Sequence, residues 1–466
     1  MLNGDDMAKS EDTFQKSVHI RTYGCQMNVR DSEAIGALLV RHGYRVLAGE
    51  EGADVILVNT CSVRGKAEDK ALGKLRLVVA GKLMRPSQVV GAVGCMVQRL
   101  GPGILKQVKG LDFAVGTHRL STLPAVIEAA FEGRGPLVDT GEEESEAEAL
   151  SGHLAGSMSG FVNILLGCDR RCAYCIVPKV RGREWSRPAE NVLREVAVLA
   201  GQGVREVTLL GQSVMSYGRK NAVWPADYKS DGGFVEPLPR LLEAVGRIDG
   251  IRRIRFTSGH PIGCSEELAH AMATIPGVCD HLHLPVQSGS DAILRRMRRG
   301  YSAEDYLAAV RRLRAAVPTL ALTTDVIVGF PGETDDDFEA TRRLMDAAGF
   351  DNSFIFKYSP REGTPAADWA DDVSSEEKMR RNHVLLVDQD RRGVELNEAC
   401  IGNVVDVLVE GPSLRNQERW AGRSTTHKIV IFDPRETIRA GDIVSVQIER
   451  VGPQVLYGTL KGIVST

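Results

Sequence analysis

From Val18 onward, short apolar runs ending in glycine alternate with stretches in which apolar residues recur every three or four positions. These are the periods of buried strands and amphipathic helices. Val18-His19-Ile20-Arg21-Thr22-Tyr23 predicts a strand that ends in Gly24-Cys25, and the pattern opened by Asp31-Ser32-Glu33 predicts a helix running to Gly43. Asp54-Val55-Ile56-Leu57-Val58 predicts a second strand, ending in Asn59-Thr60-Cys61, and Gln88-Val89-Val90-Gly91-Ala92-Val93 a third, ending in Gly94-Cys95. With a strand at 112–116 and a helix near 121–131, residues 17–135 are expected to form a doubly wound α/β domain. Each of its three cysteines stands just past the carboxyl end of a strand, where open parallel sheets place their sites.

The pattern changes at 136–156, a polar stretch with the acidic run Glu142-Glu143-Glu144-Ser145-Glu146, which predicts a linker. Over 157–395 strands are expected at 161–166, 206–210, 253–257, 281–284, 322–328 and 353–357. Helices lie between them, one with Pro188 in its first turn and one capped by Ser302. Six such units predict a partial (β/α)6 barrel of TIM type, with its active face at the strand ends. After a charged helical stretch at 374–399, alternating apolar positions at 404–409 and 443–448 between Gly and Pro turns predict a small all-β barrel over 398–464.

Composition narrows the function classes. The 466 residues are 43% hydrophobic and 26% charged, with a net charge of -3, so no global basic footprint marks a nucleic-acid binder. Basic residues cluster locally, at Arg295-Arg296-Met297-Arg298-Arg299 and at Arg415, Arg419, Arg423 and Lys428 around Trp420. No apolar run is long enough to span a bilayer, and the polar start, Met1-Leu2-Asn3-Gly4-Asp5-Asp6, predicts a leader over 1–16 and a cytoplasmic location. Nine cysteines in such a chain point to metal or redox chemistry rather than a disulfide framework.

Three of them sit together in Gly167-Cys168-Asp169-Arg170-Arg171-Cys172-Ala173-Tyr174-Cys175. Three thiolates can hold three irons of a four-iron cluster and leave the fourth open to a chelating substrate. A structural zinc site would want a fourth ligand at comparable spacing. The Cys-x3-Cys-x2-Cys spacing resembles that of radical S-adenosylmethionine enzymes. Together with Thr22-Tyr23-Gly24-Cys25-Gln26-Met27-Asn28, Asn59-Thr60-Cys61-Ser62-Val63-Arg64, Gly94-Cys95-Met96, Gly329-Phe330-Pro331-Gly332-Glu333-Thr334 and Tyr358-Ser359-Pro360-Arg361-Glu362-Gly363-Thr364-Pro365, it makes the chain similar to the radical S-adenosylmethionine methylthiotransferase family from Val18 to about Ile463. The tail resembles the TRAM domain, an RNA-binding barrel.

That resemblance implies a radical cluster on Cys168, Cys172 and Cys175 and a second four-iron cluster on Cys25, Cys61 and Cys95. S-adenosylmethionine would be both radical source and methyl donor, with Gln212, Gly329, Gly332 and Glu333 near it. The implied reaction is methylthiolation of isopentenyl-adenosine in tRNA, at the nucleoside 3′ of the anticodon. The anticodon stem-loop would be held by the run 295–299 and by Arg415, Arg419, Arg423 and Lys428. A reductant protein such as a flavodoxin or ferredoxin would supply electrons to a monomer. Threonylcarbamoyl-adenosine or a ribosomal-protein aspartate are alternative substrates, and an iron–sulfur RNA-binding sensor is the alternative without catalysis. Cys264, Cys279 and Cys400 match no motif and read as packing residues. The chain departs from the family pattern at Ser213, Met215, Gly259 and Lys179-Val180.

Overall fold

The computed structural model describes residues 16–63, 65–141, 152–154, 156–225, 227–435 and 437–464. Arg64, most of the predicted leader and most of the acidic linker lie outside the described residues. The chain divides into two compact units, one built from residues up to 155 together with 166–169 and 176–183, the other from the remainder.

The first unit is organised by one parallel sheet. Strands β1 (Lys16–Thr22), β2 (Tyr44–Val46), β3 (Val55–Thr60), β4 (Val89–Gly94), β5 (Phe113–Val115) and β6 (Leu137–Asp139) run in the order β2-β1-β3-β4-β5-β6. Every residue of β3 and β4 is buried, as their unbroken apolar runs require of a sheet covered on both faces. Helices α1 (Gln26–Arg41), α2 (Gly65–Gly81), α3 (Cys95–Leu100), α4 (Ile104–Gln107) and α5 (Leu123–Phe131) connect them. Three expectations are corrected. Lys16 belongs to β1, and residues 137–139 form β6 within what reads as linker. Helix α1 starts at Gln26, not Asp31, because Asn28 Oδ1 accepts the Cys25 backbone N–H at 3.2 Å and so caps the helix five residues early.

In the second unit the six expected parallel strands form two three-stranded sheets. β7 (Ser159–Asn163) is separated from the next by the thiol loop, which short β8 (Leu165–Leu166) and β9 (Trp185–Ser186) bracket in sequence; α6 (Val177–Arg181), just after the loop, belongs to the first unit and α7 (Ala189–Gly201) to the second. β10 (Glu206–Leu210), α8 (Pro237–Gly246) and β11 (Arg253–Phe256) follow, and β10 lies between β7 and β11. Beyond α9 (Glu266–Thr274), β12 (His281–His283) pairs with β13 (Ala321–Val328), which pairs with β14 (Asn352–Lys357). A parallel bridge from Ile254 of β11 to Val278, three residues before β12, links the edge of one sheet to the segment entering the other, the arrangement of a partial barrel. Helices α10 (Asp291–Arg296), α11 (Ala303–Ala316), α12 (Asp335–Ala348) and α13 (Ser375–Glu398) cover it. Pro188 is the residue before α7, and Ser302 caps α11 by accepting from Asp305 N at 3.1 Å.

The tail closes into a five-stranded barrel, β15 (Val404–Pro412), β16 (Trp420–Ser424), β17 (Ile429–Phe432), β18 (Ile443–Val451) and β19 (Val455–Ile463), in the order β15-β16-β17-β19-β18. Closure removes the exposed edges of an open sheet. Its core of Val407, Val430, Phe432, Val444, Val446 and Leu456 is buried. It is anchored by two buried arginines of β11: Arg253 donates to the carbonyls of Arg423 and Asp406, and Arg255 to those of Ser424 and Thr425. Among the described residues, no helix is long and apolar enough to cross a membrane.

Candidate iron–sulfur and cofactor sites

In the first unit, strand register assembles three thiols that are distant in sequence. β1, β3 and β4 are neighbours, and Thr60 pairs with Gly94, so the next residue of each strand, Cys61 and Cys95, leaves the sheet alongside the other. Cys25 joins them from the loop after β1. A buried amide network fixes that loop: Asn28 Nδ2 donates to Thr60 O at 3.1 Å and to Asn59 Oδ1 at 3.3 Å, while Asn59 Nδ2 donates to Asn28 O and Ser32 Oγ, both at 2.9 Å. Both asparagines are fully buried, so losing one partner would strand the other's polar groups. Gly94 has φ +99°, and a Cβ there would stand 2.5 Å from Asn59 Oδ1; only glycine fits.

The thiols differ electrically. The hydrogen bond from Cys61 is the largest cause holding the Cys25 thiol below its ordinary pKa, and the nearby Arg181 charge acts in the same direction. The same bond, with burial, pushes Cys61 up. Burial pushes Cys95 up, opposed by Arg181. The Arg181 guanidinium donates from Nε to Cys95 Sγ at 3.2 Å and forms a two-point ion pair with Asp31, at 2.6 and 3.2 Å. The Arg181 and Asp31 side chains are each 8% exposed.

All three thiols are free of disulfides. Among the described residues, no three His, Cys, Asp or Glu gather as tightly as round a single ion. Cluster thiolates sit on separate irons and stand further apart, so this all-sulfur donor set, with Cys61 and Cys95 buried, Cys25 half-buried and a cation adjacent, suits an iron–sulfur cluster.

The second set lies on one loop. Cys168 N donates to Gly182 O at 3.2 Å in the first unit. In the second unit, Ala173 N donates to Met297 O at 3.0 Å and Ala366 N to Ala173 O at 2.8 Å, fixing the loop between Cys172 and Cys175. Ala173 packs with Ile293, Met297, Phe330 and Tyr358.

Arg299 was expected to face RNA phosphates, and the structure corrects this. It is 7% exposed and donates to Cys172 Sγ at 3.3 Å, to the Tyr301 hydroxyl at 3.0 Å and to Pro285 O at 3.2 Å, with Tyr174 OH at 3.4 Å. No carboxylate pairs with it among the described residues. The signal in sequence was a basic run interrupted by Met297; what it could not show is that the helix ends at Arg296 and turns Arg299 inward. Arg295, Arg296 and Arg298 remain exposed.

Beside this loop, strand ends present buried polar atoms without protein partners: Asn163 Oδ1 at the end of β7, both amide atoms of Gln212 after β10, and His260 Nε2 after β11. Such atoms are costly unless a ligand or water satisfies them, so the strand ends suit a polar cofactor such as S-adenosylmethionine. Burial, with the charges of Arg299, Arg170 and Arg219, pushes His260 down to about 2 and keeps it neutral. His260 was not singled out as a site residue, although it stands in the stretch that Gly259 interrupts.

The departures at 215 and 259 are coupled. Met215 Sδ accepts the His260 backbone N–H at 3.3 Å, and a Cβ on Gly259 would lie 3.0 Å from Met215 Cε. Gly329, Gly332 and Glu333 form a turn in which Glu333 accepts Gly329 N–H at 2.6 Å and pairs with Arg381 at 2.7 Å. The Glu333 carboxylate therefore has a structural task.

In the tail, Arg415 is exposed, Arg419 pairs with Asp433 and Arg423 with Glu410, each at 2.8 Å. Lys428 is corrected from an RNA contact: its side chain, 13% exposed, pairs with Asp351 at 2.7 Å and donates to Asn397, joining the tail to the body of its unit. Burial pushes Cys264 up to about 12 and Cys279 up to about 11, as for packed thiols, and Cys400 packs beside the tail core.

Comparison with known proteins agrees with this layout. Residues 17–116 match the family described as Uncharacterized protein family UPF0004, residues 162–345 the Radical SAM superfamily and residues 398–461 the TRAM domain. The chain is 43% identical to the tRNA-2-methylthio-N(6)-dimethylallyladenosine synthase of Methylacidiphilum infernorum, covering 95% of this chain and 94% of the relative. It is 43% identical to that of Opitutus terrae, covering 95% and 97%. Among solved structures, a radical S-adenosylmethionine methyltransferase, TsrM, from Kitasatospora setae has the same fold at a TM-score of 0.55 and 16% identity, over 85% of this chain and 79% of that one. The chain belongs to the radical S-adenosylmethionine methylthiotransferase family, among the relatives of the tRNA-2-methylthio-N(6)-dimethylallyladenosine synthases.

Proposed function

We propose that this chain methylthiolates N(6)-dimethylallyladenosine in tRNA, at the nucleoside 3′ of the anticodon. The observation that carries the reading is the presence of both thiol triads at strand-end loops, in a chain 43% identical over 95% of its length to synthases of that product. The target is an unactivated ring C–H position, which a side-chain base or nucleophile cannot substitute at neutral pH. Iron–sulfur clusters and S-adenosylmethionine, when bound, supply the one-electron and methyl-donor chemistry that such a bond demands.

The chain's own residues bind, orient and shield. Cys168, Cys172 and Cys175 would hold the radical cluster, and Cys25, Cys61 and Cys95 the second. Asn163, Gln212 and neutral His260 offer hydrogen-bonding atoms to the cofactor. Arg299 keeps a fixed positive charge on Cys172. The closed barrel supports tRNA contact through exposed Arg415 and through Arg419 and Arg423, whose partners Asp433 and Glu410 are surface carboxylates that phosphate can displace. A flavodoxin or ferredoxin is proposed as electron donor to a cytoplasmic monomer.

The test is anaerobic turnover of the reconstituted protein with dithionite, S-adenosylmethionine and tRNA carrying or lacking the dimethylallyl group, followed by nucleoside mass analysis. A gain of one methylthio group only on the dimethylallyl tRNA is expected. Cofactor cleavage without that gain would reject the substrate assignment.

A further inference from the structure

Arg181 has no part in the reaction proposed for the chain, yet it is a buried cation touching a proposed cluster ligand. Its environment is specific. Nε is committed to Cys95 Sγ at 3.2 Å, and the two terminal nitrogens are committed to the two oxygens of Asp31. Asp31 lies on α1, six residues beyond Cys25. The guanidinium therefore ties the element that starts at one cysteine to the sulfur of another. A two-point ion pair fixes the plane of the guanidinium, so Nε–H is aimed rather than free to turn. Ile176 and Val180 pack with Cys95 and exclude water from this corner, which strengthens any charge acting there.

We propose that Arg181 is a positioning and charge-tuning residue of the second cluster: its fixed cation, oriented by Asp31, donates to the Cys95 sulfur and makes that cluster easier to reduce. The proposal rests on the reading that Cys25, Cys61 and Cys95 hold a cluster. Hydrogen bonds to the sulfurs and net local charge are known levers on cluster potential. The added electron raises the negative charge of the group, so a nearby cation stabilises the reduced form more than the oxidised. Asp31 acts in two opposed ways, aiming the guanidinium and offsetting its charge. Removing the carboxylate while the packed Arg181 stays beside Cys95 leaves a net positive corner. The two substitutions should therefore shift the potential in opposite directions, whereas a scaffold role would give loss of cluster for both.

The experiment uses the full chain with Cys168, Cys172 and Cys175 replaced by alanine, so that only the second cluster is seen. Its potential is followed by electron paramagnetic resonance during redox titration. Arg181→Gln is expected to lower the reduction equilibrium about tenfold, ~59 mV for one electron. Arg181→Lys should recover part of that shift, and Asp31→Asn should raise the potential above the parent.

Where Arg181→Gln fails to load iron, the Lys and Asn variants decide. An Asp31→Asn potential equal to or below the parent overturns the proposal, as does an unchanged potential in Arg181→Gln. A parent that binds no iron would overturn the cluster reading itself and the proposal with it.

Discussion

The two thiol triads are built on opposite plans. Cys168, Cys172 and Cys175 come from a single eight-residue stretch, so backbone connectivity alone brings them together. Cys25, Cys61 and Cys95 come from the ends of three strands, and only the parallel register of β1, β3 and β4 and the Asn28–Asn59 network make them neighbours. In each triad a buried arginine donates to a sulfur, Arg181 to Cys95 and Arg299 to Cys172, but the electrostatics differ. Arg181 is neutralised by Asp31, whereas Arg299 is held by hydroxyls and a carbonyl. The local triad thus carries an uncompensated cation and the assembled triad a compensated one. In a buried site, that difference affects cluster charge more than any surface residue would.

The largest effect that sharpens this contrast comes from the loop itself. Replacing Cys172 by alanine should abolish S-adenosylmethionine cleavage, by at least ~10³-fold relative to the parent given the scale of lost cofactor chemistry; 5′-deoxyadenosine release measures it.

Next comes the dependence of the assembled triad on its sheet. Gly94→Ala forces a Cβ against Asn59 Oδ1 and Thr60 O. We expect the first unit to lose about 2–4 kcal/mol, the sum of backbone strain and a broken buried network, together with the second cluster's iron. The loop triad should keep its iron. Denaturant melts and iron analysis check both, and equal iron loss at the two triads would erase the distinction.

A smaller effect is expected from the uncompensated cation. Arg299→Gln should lower the radical cluster's reduction equilibrium about tenfold, ~59 mV, with Arg299→Lys intermediate. Redox titration of a Cys25, Cys61 and Cys95 triple alanine variant isolates that cluster.

The smallest effect lies in the tail, remote from either set in function. Neutralising Arg415, Arg419 and Arg423 together should weaken tRNA binding and reduce the salt slope by roughly 1 for each phosphate no longer neutralised. Filter binding at several salt concentrations reads it. Lys428→Gln should instead loosen the tail barrel, because it breaks the Asp351 pair.

Much of this architecture could be read from residue pattern. The six strands of the central wall, and β1, β3, β4 and β5 of the first sheet, announce themselves by residue pattern. The strands β2 and β6 do not, since Tyr44-Arg45-Val46 and Leu137-Val138-Asp139 are too short and mixed to show a period, whereas β5, equally short, is the wholly apolar Phe113-Ala114-Val115. The six cysteines of the two triads stood out as candidate ligands, because thiols at strand ends and at close spacing are rare patterns.

Their supports were not. Arg299 follows Cys172 by 127 residues, and Arg181 follows Cys95 by 86. A cation buried by tertiary packing looks in sequence like any surface charge. The same blindness put Lys428 on an RNA face and started α1 at Asp31, where the cap chemistry of Cys25 and Asn28 outweighed the acidic first-turn signal. Cooperation between Met215 and Gly259 was equally invisible, since each departure alone looks like noise.

The most direct test of the central claim, that two differently built triads do two different jobs, is one assay. The protein with Cys25, Cys61 and Cys95 replaced by alanine is incubated anaerobically with dithionite, S-adenosylmethionine and dimethylallyl tRNA, and both 5′-deoxyadenosine and the methylthio nucleoside are weighed. Two different jobs predict continued cofactor cleavage with no methylthio nucleoside. Methylthio nucleoside formed at the parent's rate would contradict them.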